Sequence, residues 1–188
     1  MKKIVLASGS PRRKKLLEEA GLRFVVEKST YEEYLDTTIQ PVELAKKLSY
    51  EKALNVAKRF TNALIIGADT VVVLDKKLLG KPKDAQDAKR MLSELSNTSH
   101  TVITGYTIID TDSNRVSTNF EETFVRMKPL SEKQIEDYIA TGEPFDKAGG
   151  YGIQDGAGPF IAEIRGDFTN VVGLPVEKVL KELEKFGI

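Results

Sequence analysis

Residues 3–21 read KIVLASGSPRRKKLLEEAG and contain the junction that decides the class of fold. The apolar run over 3–7 predicts a buried strand. A short Ser-Gly-Ser turn then leads into a predicted helix, with Ser10 as the N-cap and Pro11 at the first helical position. A strand that runs directly into a helix is typical of an α/β fold.

The remaining periodicity extends this pattern along the chain. It predicts strands over 22–27 and 63–74, the second interrupted by GADT at 67–70, with a long helix over 41–60 between them. Further strands are expected at 100–110, 115–128 and 160–164, and further helices at 84–95, 131–142 and 175–186, the helix at 131 opening on a capping box of Ser131 and Gln134. Early alternation followed by an antiparallel pair favours one α/β domain over residues 1–188 with a mixed sheet.

The composition excludes several classes of protein. The chain has 28 Lys and Arg residues and 28 Asp and Glu residues. A formal net charge of zero argues against a general nucleic-acid or membrane-surface binder, because such proteins carry excess cations. The absence of cysteine excludes disulfides, thiolate metal sites and a thiol nucleophile. Since no apolar run suits a signal peptide or a membrane span, we expect a soluble, cytoplasmic protein.

The turn before the first helix has the character of an anion site. A helix N-terminus offers free backbone N–H groups and the positive end of the helix dipole. Ser8 and Ser10 add hydroxyls, and Arg12 and Arg13 add guanidinium donors that suit phosphate. The alternative is that Ser10 only caps the helix while both arginines are solvated.

Two charged residues are predicted where burial demands a partner. Lys52 falls inside the apolar arc of the helix over 41–60, so its ammonium needs an anion unless the side chain reaches solvent at the helix edge. Asp69 lies in a β-branched run and should meet a cation, a metal ion or the mouth of a cleft. The alternative for Asp69 is a bulge or turn in which it caps backbone amides. Lys81 is a further candidate cation.

Residues 142–156, GEPFDKAGGYGIQDG, have the glycine density of a loop folded tightly around a ligand. Gln154 can both donate to and accept from a base edge. A flexible spacer is the alternative, but the interspersed Tyr151 argues against it. Glu32 and Glu33, in the acidic loop after the second strand, are either metal ligands or an acidic surface. Together these signals describe a phosphate-rich ligand beside carboxylates that are suited to a divalent cation.

Five blocks of sequence occur in an order, and over nearly the whole chain, that resembles the Maf family of nucleoside triphosphate pyrophosphatases: SGSPRR at 8–13, GADT at 67–70, GKP at 80–82, GEPFDKAGGYGIQ at 142–154 and NVVGLP at 170–175. The resemblance implies an ITPase-like α/β fold. Its elongated mixed sheet would be flanked by helices in two lobes around a central cleft. It also implies a homodimer.

The resemblance further implies hydrolysis of a nucleoside triphosphate to the monophosphate and pyrophosphate, supported by Mg²⁺ or Mn²⁺. Asp69 is the expected proton acceptor, and it shares the metal with Glu32 or Glu33. By charge and hydrogen-bonding capacity, the phosphate-binding residues are expected to be Ser8, Ser10, Arg12, Arg13, Lys52 and Lys81.

Within the family, the combination of Arg12, Thr70 and Gln154 resembles the subgroup that acts on dTTP, UTP and modified pyrimidine nucleotides. The remaining pocket residues are expected to be Asp146, Lys147 and Tyr151. The chain departs from the family pattern at the next position, 155, where aspartate replaces glycine. The alternatives are a 7-methyl-GTP-type pyrophosphatase and a nucleotide-binding regulatory module that acts in septum formation.

Overall fold

The computed structural model describes residues 2–188, which form a mixed β-sheet flanked by helices. The strands are β1 (Lys3–Leu6), β2 (Val25–Val26), β3 (Ala63–Leu74), β4 (Lys77–Leu79), β5 (Ser99–Asp110), β6 (Val116–Met127) and β7 (Ile161–Arg165). The helices are α1 (Pro11–Glu19), α2 (Pro41–Ala57), α3 (Ala85–Leu95), α4 (Glu132–Ala140), α5 (Phe168–Val172) and α6 (Val176–Glu184). Short 3₁₀ turns cover Glu143–Asp146, Ala148–Gly150 and Gly158–Phe160.

The sheet has the strand order β2-β1-β3-β5-β6-β7, and β4 pairs with β3. Strand β1 is parallel to both of its neighbours, with Val5 opposite Val25 on one side and Ile65 on the other. Strands β4 and β7 run antiparallel to β3 and β6, respectively. The predicted α/β class with a mixed sheet is therefore confirmed.

Contacts divide the described chain into two compact units, each with its own core. The first unit comprises residues 2–70, 104–121 and 173–188, and the second comprises 71–103 and 122–172. A core cluster of the first unit contains Val5, Ala7, Ala53, Val56, Ala63, Ile65 and Ile109. The core of the second unit is centred on Met91, Leu92, Leu95, Val125, Met127 and Tyr151.

Local capping explains where two of the helices begin. In α1 the Ser10 hydroxyl accepts from the backbone N–H of Arg13, and Pro11 is the first helical residue, as predicted. In α4 the reciprocal capping box between Ser131 and Gln134 is present. These N-terminal signals are local in sequence, so they are visible before the fold is known.

The predicted interruption of the 63–74 segment by GADT is wrong, since β3 runs unbroken through these four residues. Gly67, Ala68 and Asp69 are all buried within it. The turn or bulge considered for Asp69 is therefore wrong as well. The glycine marks a close approach of another backbone rather than a turn, and that approach is described below.

Other predicted boundaries differ from those in the structure because pairing with neighbouring strands limits the length of a strand. The predicted strand at 22–27 shrinks to the two residues of β2, which pair with the end of β1 and leave Val25 and Val26 exposed at the edge of the sheet. The turn from β3 to β4 uses Asp75 and Lys76, both with positive φ, and it lacks the glycine that marks such turns in sequence. Strand β4 was therefore not predicted. The short helix α5 was not predicted either.

Candidate active site

The turn between β1 and α1 is held by a buried guanidinium. Arg13 donates from Nε to the carbonyl oxygen of Gly173 at 2.8 Å and from Nη1 to that of Ala68 at 2.9 Å. It also donates to the hydroxyls of Thr70, at 3.0 Å, and Ser8, at 3.3 Å. Burial lowers the pKa of Arg13, and the nearby carboxylates oppose that shift. For this arginine, the alternative of a solvated side chain is wrong.

The Lys52 ammonium joins two carboxylates. Its Nζ lies 2.5 Å from Asp69 Oδ1 and 2.8 Å from Glu33 Oε1. The side chains of Lys52 and Asp69 are 11% and 8% exposed, whereas that of Glu33 is 38% exposed. The interior position predicted for Lys52 is confirmed, and its ammonium does not escape to solvent at the helix edge. One buried carboxylate and one open to solvent therefore share a single cation.

Asp69 combines burial with surrounding positive charge. Burial is the largest influence and raises the pKa of Asp69. The charges of Lys52 and Arg13 partly oppose this shift, and Glu33 adds to it. A carboxylate whose pKa is raised above its ordinary range binds a proton more readily, which suits a general base.

The other residues predicted for this region are distributed unevenly. Thr70 contacts Arg13, and its hydroxyl lies 2.9 Å from that of Thr104. Arg12 is half-buried, and Glu32 is exposed. The structure thus gathers Ser8, Arg13, Glu33, Lys52, Asp69 and Thr70 in the first unit, with Ser10 as the helix cap. Lys81 and Gln154 are exposed and belong to the second unit.

The glycine-dense segment of the second unit is a loop held together by hydrogen bonds and ion pairs. Lys147 is buried, and its Nζ donates to the carbonyl oxygen of Glu143 and to the Asp146 carboxylate, each at 2.7 Å. The same ammonium lies 3.3 Å from Asp155 Oδ2. The Glu143 carboxylate in turn accepts from the backbone N–H of Gly156 at 2.9 Å. The tight folding predicted for this loop is confirmed, and a flexible spacer is excluded.

Two tyrosines add further hydrogen bonds that hold this loop. The hydroxyl of Tyr138 accepts from the backbone N–H of Gly152 at 3.2 Å. The hydroxyl of Tyr151 lies 2.6 Å from Nε2 of His100, and burial lowers the pKa of His100 to about 4. The sequence alone gives His100 no role, since it shows only a single histidine at the start of a predicted strand.

The first unit brings together two carboxylates of the kind that divalent cations use as ligands. Within residues 2–188 there is no group of three or more His, Cys, Asp or Glu side chains arranged to hold a metal ion. The two oxygens that meet at Lys52, from Asp69 and Glu33, match the one or two carboxylates that Mg²⁺ uses when substrate phosphates supply further ligands. The donor set therefore fits a cation shared with a phosphorylated ligand.

In the part of the chain that the structure describes, no helix combines the length and apolar character needed to cross a bilayer.

Comparison with known proteins gives a consistent result over the full length. The family model described as Maf-like protein matches residues 3–186. A protein of Symbiobacterium thermophilum named dTTP/UTP pyrophosphatase is 46% identical over 187 residues, covering 100% of this chain and 95% of the relative. Proteins of the same name from Geobacillus sp. and Methanosarcina barkeri are also 46% identical, and the alignments cover 100% of this chain and 100% and 96% of those relatives.

The family model leaves only a few terminal residues unmatched, and full coverage of this chain recurs in the relatives. The resemblance first seen in short motifs thus extends through every strand and helix of the fold. This chain belongs to the Maf family.

Proposed function

We propose that this protein is a nucleoside triphosphate pyrophosphatase that hydrolyses dTTP and UTP to the monophosphate and pyrophosphate. The names of the relatives support the substrate class. The observation that carries the chemistry is the buried Asp69 carboxylate, held at 2.5 Å by the Lys52 ammonium. A protein that only sensed nucleotides would gain nothing from burying a carboxylate against its anionic ligand.

The proposed site counters the charge of a triphosphate in two ways. The start of α1 presents backbone N–H groups together with the Ser8 and Ser10 hydroxyls and the half-buried Arg12. The donors of Arg13 are directed at Gly173, Ala68 and neighbouring hydroxyls, so this residue supplies charge and holds the turn. We assign direct phosphate contacts to the helix start, to Lys52 and, on the family resemblance alone, to Lys81.

Asp69 acts as the proton acceptor in this proposal. A water oxygen attacks the α-phosphorus as its proton passes to the Asp69 carboxylate. The bond between the α-phosphorus and the bridging oxygen breaks, and pyrophosphate leaves with the electron pair. Burial raises the pKa of Asp69, which strengthens it as a base, while Lys52 keeps the carboxylate ionised until the proton arrives.

Asp69 and Glu33 would hold Mg²⁺ or Mn²⁺ together with substrate phosphate oxygens. Such an ion, when bound, supplies Lewis-acid stabilisation of phosphate charge. Glu32 is the alternative partner of Asp69, but it is Glu33 whose carboxylate pairs with the Lys52 ammonium beside Asp69. We therefore favour Glu33.

Nucleotide selectivity is assigned to Arg12, Thr70 and Gln154 on the family resemblance. Hydrogen bonds with Arg13 and Thr104 fix the position of the Thr70 hydroxyl in this structure. The ties of Lys147 and Tyr151 give the loop that carries Gln154 a defined shape, with Asp146 as one of the anchors. We further propose that the protein works as a homodimer in the cytoplasm.

The proposal is tested by incubating the purified protein with dTTP, UTP, CTP, GTP and 7-methyl-GTP, with Mg²⁺ or Mn²⁺ present. Pyrophosphate and orthophosphate are assayed separately. We expect pyrophosphate from dTTP and UTP and its loss after chelation of the metal. Orthophosphate as the first product would move the attack away from the α-phosphorus.

Two other results would replace the proposal by another. Pyrophosphate from 7-methyl-GTP but not from dTTP or UTP would assign the chain to that specificity. Tight nucleotide binding without any product would favour a regulatory module instead.

A further inference from the structure

Two glycines of the first unit lie directly under α2. A Cβ atom placed on Gly67 of β3 would stand 2.3 Å from the carbonyl oxygen of Ser49 and 2.8 Å from the Cβ of Ala53. A Cβ on Gly105 of β5 would stand 2.2 Å from the carbonyl oxygen of Ala45. Neither glycine has a positive φ, so the backbone conformation itself would accept a side chain. The requirement for glycine therefore comes from the helix above it.

The two contacts together form one packing surface for α2. Ala45 and Ser49 are separated by about one turn of α2, and β3 and β5 are neighbours in the sheet. The Ser49 hydroxyl also lies 2.8 Å from that of Thr107 on β5. Backbone contact at two points and a hydrogen bond between them fix both the height and the register of the helix above the sheet.

The packing of α2 against these two glycines determines where the Lys52 ammonium can reach. Asp69 follows Gly67 by two residues, so strand alternation places both on the face of β3 that meets α2. Lys52 lies less than one turn beyond Ser49 on the same helix. Ordinary contact with a Cβ begins at 3.4 Å, so a side chain at position 67 or 105 would lift the helix by about 1 Å. The Lys52 and Asp69 atoms, now 2.5 Å apart, would separate.

We infer that Gly67 and Gly105 are positioning residues for the reaction, because their lack of a side chain sets the distance at which Lys52 holds Asp69. This inference rests on the proposed function for the role of Asp69 as proton acceptor. The geometry itself, a helix seated through two glycines, is independent of that function.

The test compares Gly67→Ala and Gly105→Ala with the unsubstituted protein and with Lys52→Met. Each glycine variant should lower kcat/KM for dTTP by about 10- to 100-fold, since a misplacement of about 1 Å has effects of that size. In the Lys52→Met background, the same glycine substitutions should change kcat/KM by less than about twofold, because the contact they act through is already absent.

A matched control separates this effect from general destabilisation. Leu64 is fully buried on β3, and strand alternation places it on the opposite face from Gly67. Leu64→Ala should lower the melting temperature at least as much as the glycine variants. It should keep kcat/KM within about threefold. Equal losses of kcat/KM in this control and in the glycine variants would overturn the inference.

A second variant of Lys52 tests the distance directly. Lys52→Arg has a longer side chain. It should therefore reduce activity in the unsubstituted protein and restore part of the activity lost in Gly105→Ala. Additive losses in the double variant would show that the glycine does not act through the lysine.

Crystal structures supply a measure that needs no turnover. In Gly105→Ala we expect the distance from Lys52 Nζ to Asp69 Oδ1 to rise from 2.5 Å to about 3.5 Å, beyond the length of a normal hydrogen bond. An unchanged distance would overturn the inference even if activity fell. An unsubstituted protein that releases no pyrophosphate would remove the proposed function and leave this structural test intact.

If the glycine variants fail to fold, milder substitutions test the inference instead. Ser49→Ala and Thr107→Val remove the hydrogen bond that registers α2 and leave both glycines in place. We expect each to lower kcat/KM by about threefold to tenfold and to have no further effect in the Lys52→Met background. Full activity in both, or additive effects with Lys52→Met, would overturn the inference.

Discussion

Lys52 and Lys147 are both buried lysines, one in each unit, and they are used in different ways. Lys52 projects from a long helix and meets carboxylates from a strand and from a distant loop. Lys147 lies within a loop and bonds to a carbonyl and carboxylates of that same loop. The first lysine joins carboxylates from separate segments of the chain, whereas the second gives a loop its shape. Burial of a lysine is therefore no sign of a chemical site until its partners are known.

The largest effect that tests this comparison is expected at Asp69. Asp69→Asn keeps the shape of the side chain but removes its capacity to accept a proton. We expect kcat to fall by about 10²- to 10⁴-fold, while the affinity for nucleotide is largely kept. Steady-state kinetics and binding calorimetry measure the two quantities. Turnover at the unsubstituted rate would remove Asp69 from the catalytic role.

Substituting the two lysines tests the comparison itself. Lys52→Met should lower kcat by about 100-fold, since it removes the charge beside the proton acceptor. Lys147→Met should lower the free energy of unfolding by about 2 kcal/mol, because loop carbonyl and carboxylate groups lose a buried donor, and should act on KM more than on kcat. Urea unfolding and kinetics of both variants provide the measurements. A larger loss of kcat in Lys147→Met than in Lys52→Met would contradict the distinction between the two lysines.

A pH dependence of stability is expected from His100 in the second unit. Burial lowers the pKa of His100 from 6.5 to about 4, so the unfolded chain binds the proton more readily than the folded protein. The associated stability is complete above pH 6.5 and falls by about 3 kcal/mol as the pH drops toward 4. Chemical unfolding at several pH values measures the slope. The variant His100→Gln should lose this component, and an unchanged slope would contradict the assignment.

The smallest predicted effect compares two helix caps. Ser131→Ala removes the cap of α4 in the second unit, and Ser10→Ala removes that of α1 in the first. Each should cost about 1 kcal/mol of stability. Only Ser10→Ala should also raise KM for dTTP, because that helix start belongs to the proposed phosphate site. Thermal unfolding and steady-state kinetics of the two variants test this expectation. Equal KM values for dTTP in both variants would place the substrate phosphates elsewhere.

Much of the fold was predictable because its signals are local. The strand that leads into α1, the cap at Ser10 and the capping box at Ser131 depend on residues within one helical turn of each other. The strand β3 was predicted with its bounds but not its continuity. Glycine at position 67 breaks the apolar pattern, and only the helix above it explains why glycine stands in a strand.

The candidate site was predictable as a set of residues but not as an arrangement. Burial of Lys52 followed from helical periodicity, and the cost of an isolated buried carboxylate indicated that Asp69 needs a partner. That these two residues are each other's partners, with Glu33 as a third, depends on how α2 lies on the sheet. The position of Arg13 was also out of reach, because its acceptors at Gly173 and Ala68 are backbone carbonyls.

The sequence by itself determined the α/β class, the helix starts, the family and the residue types of the site, because periodicity, caps and motifs act over short stretches of chain. Only the tertiary structure decided which charges meet, how closely α2 approaches β3 and β5, and that Lys147 is bound to its own loop. Those outcomes depend on distances between segments far apart in the chain, and close packing of backbone and side chains sets such distances.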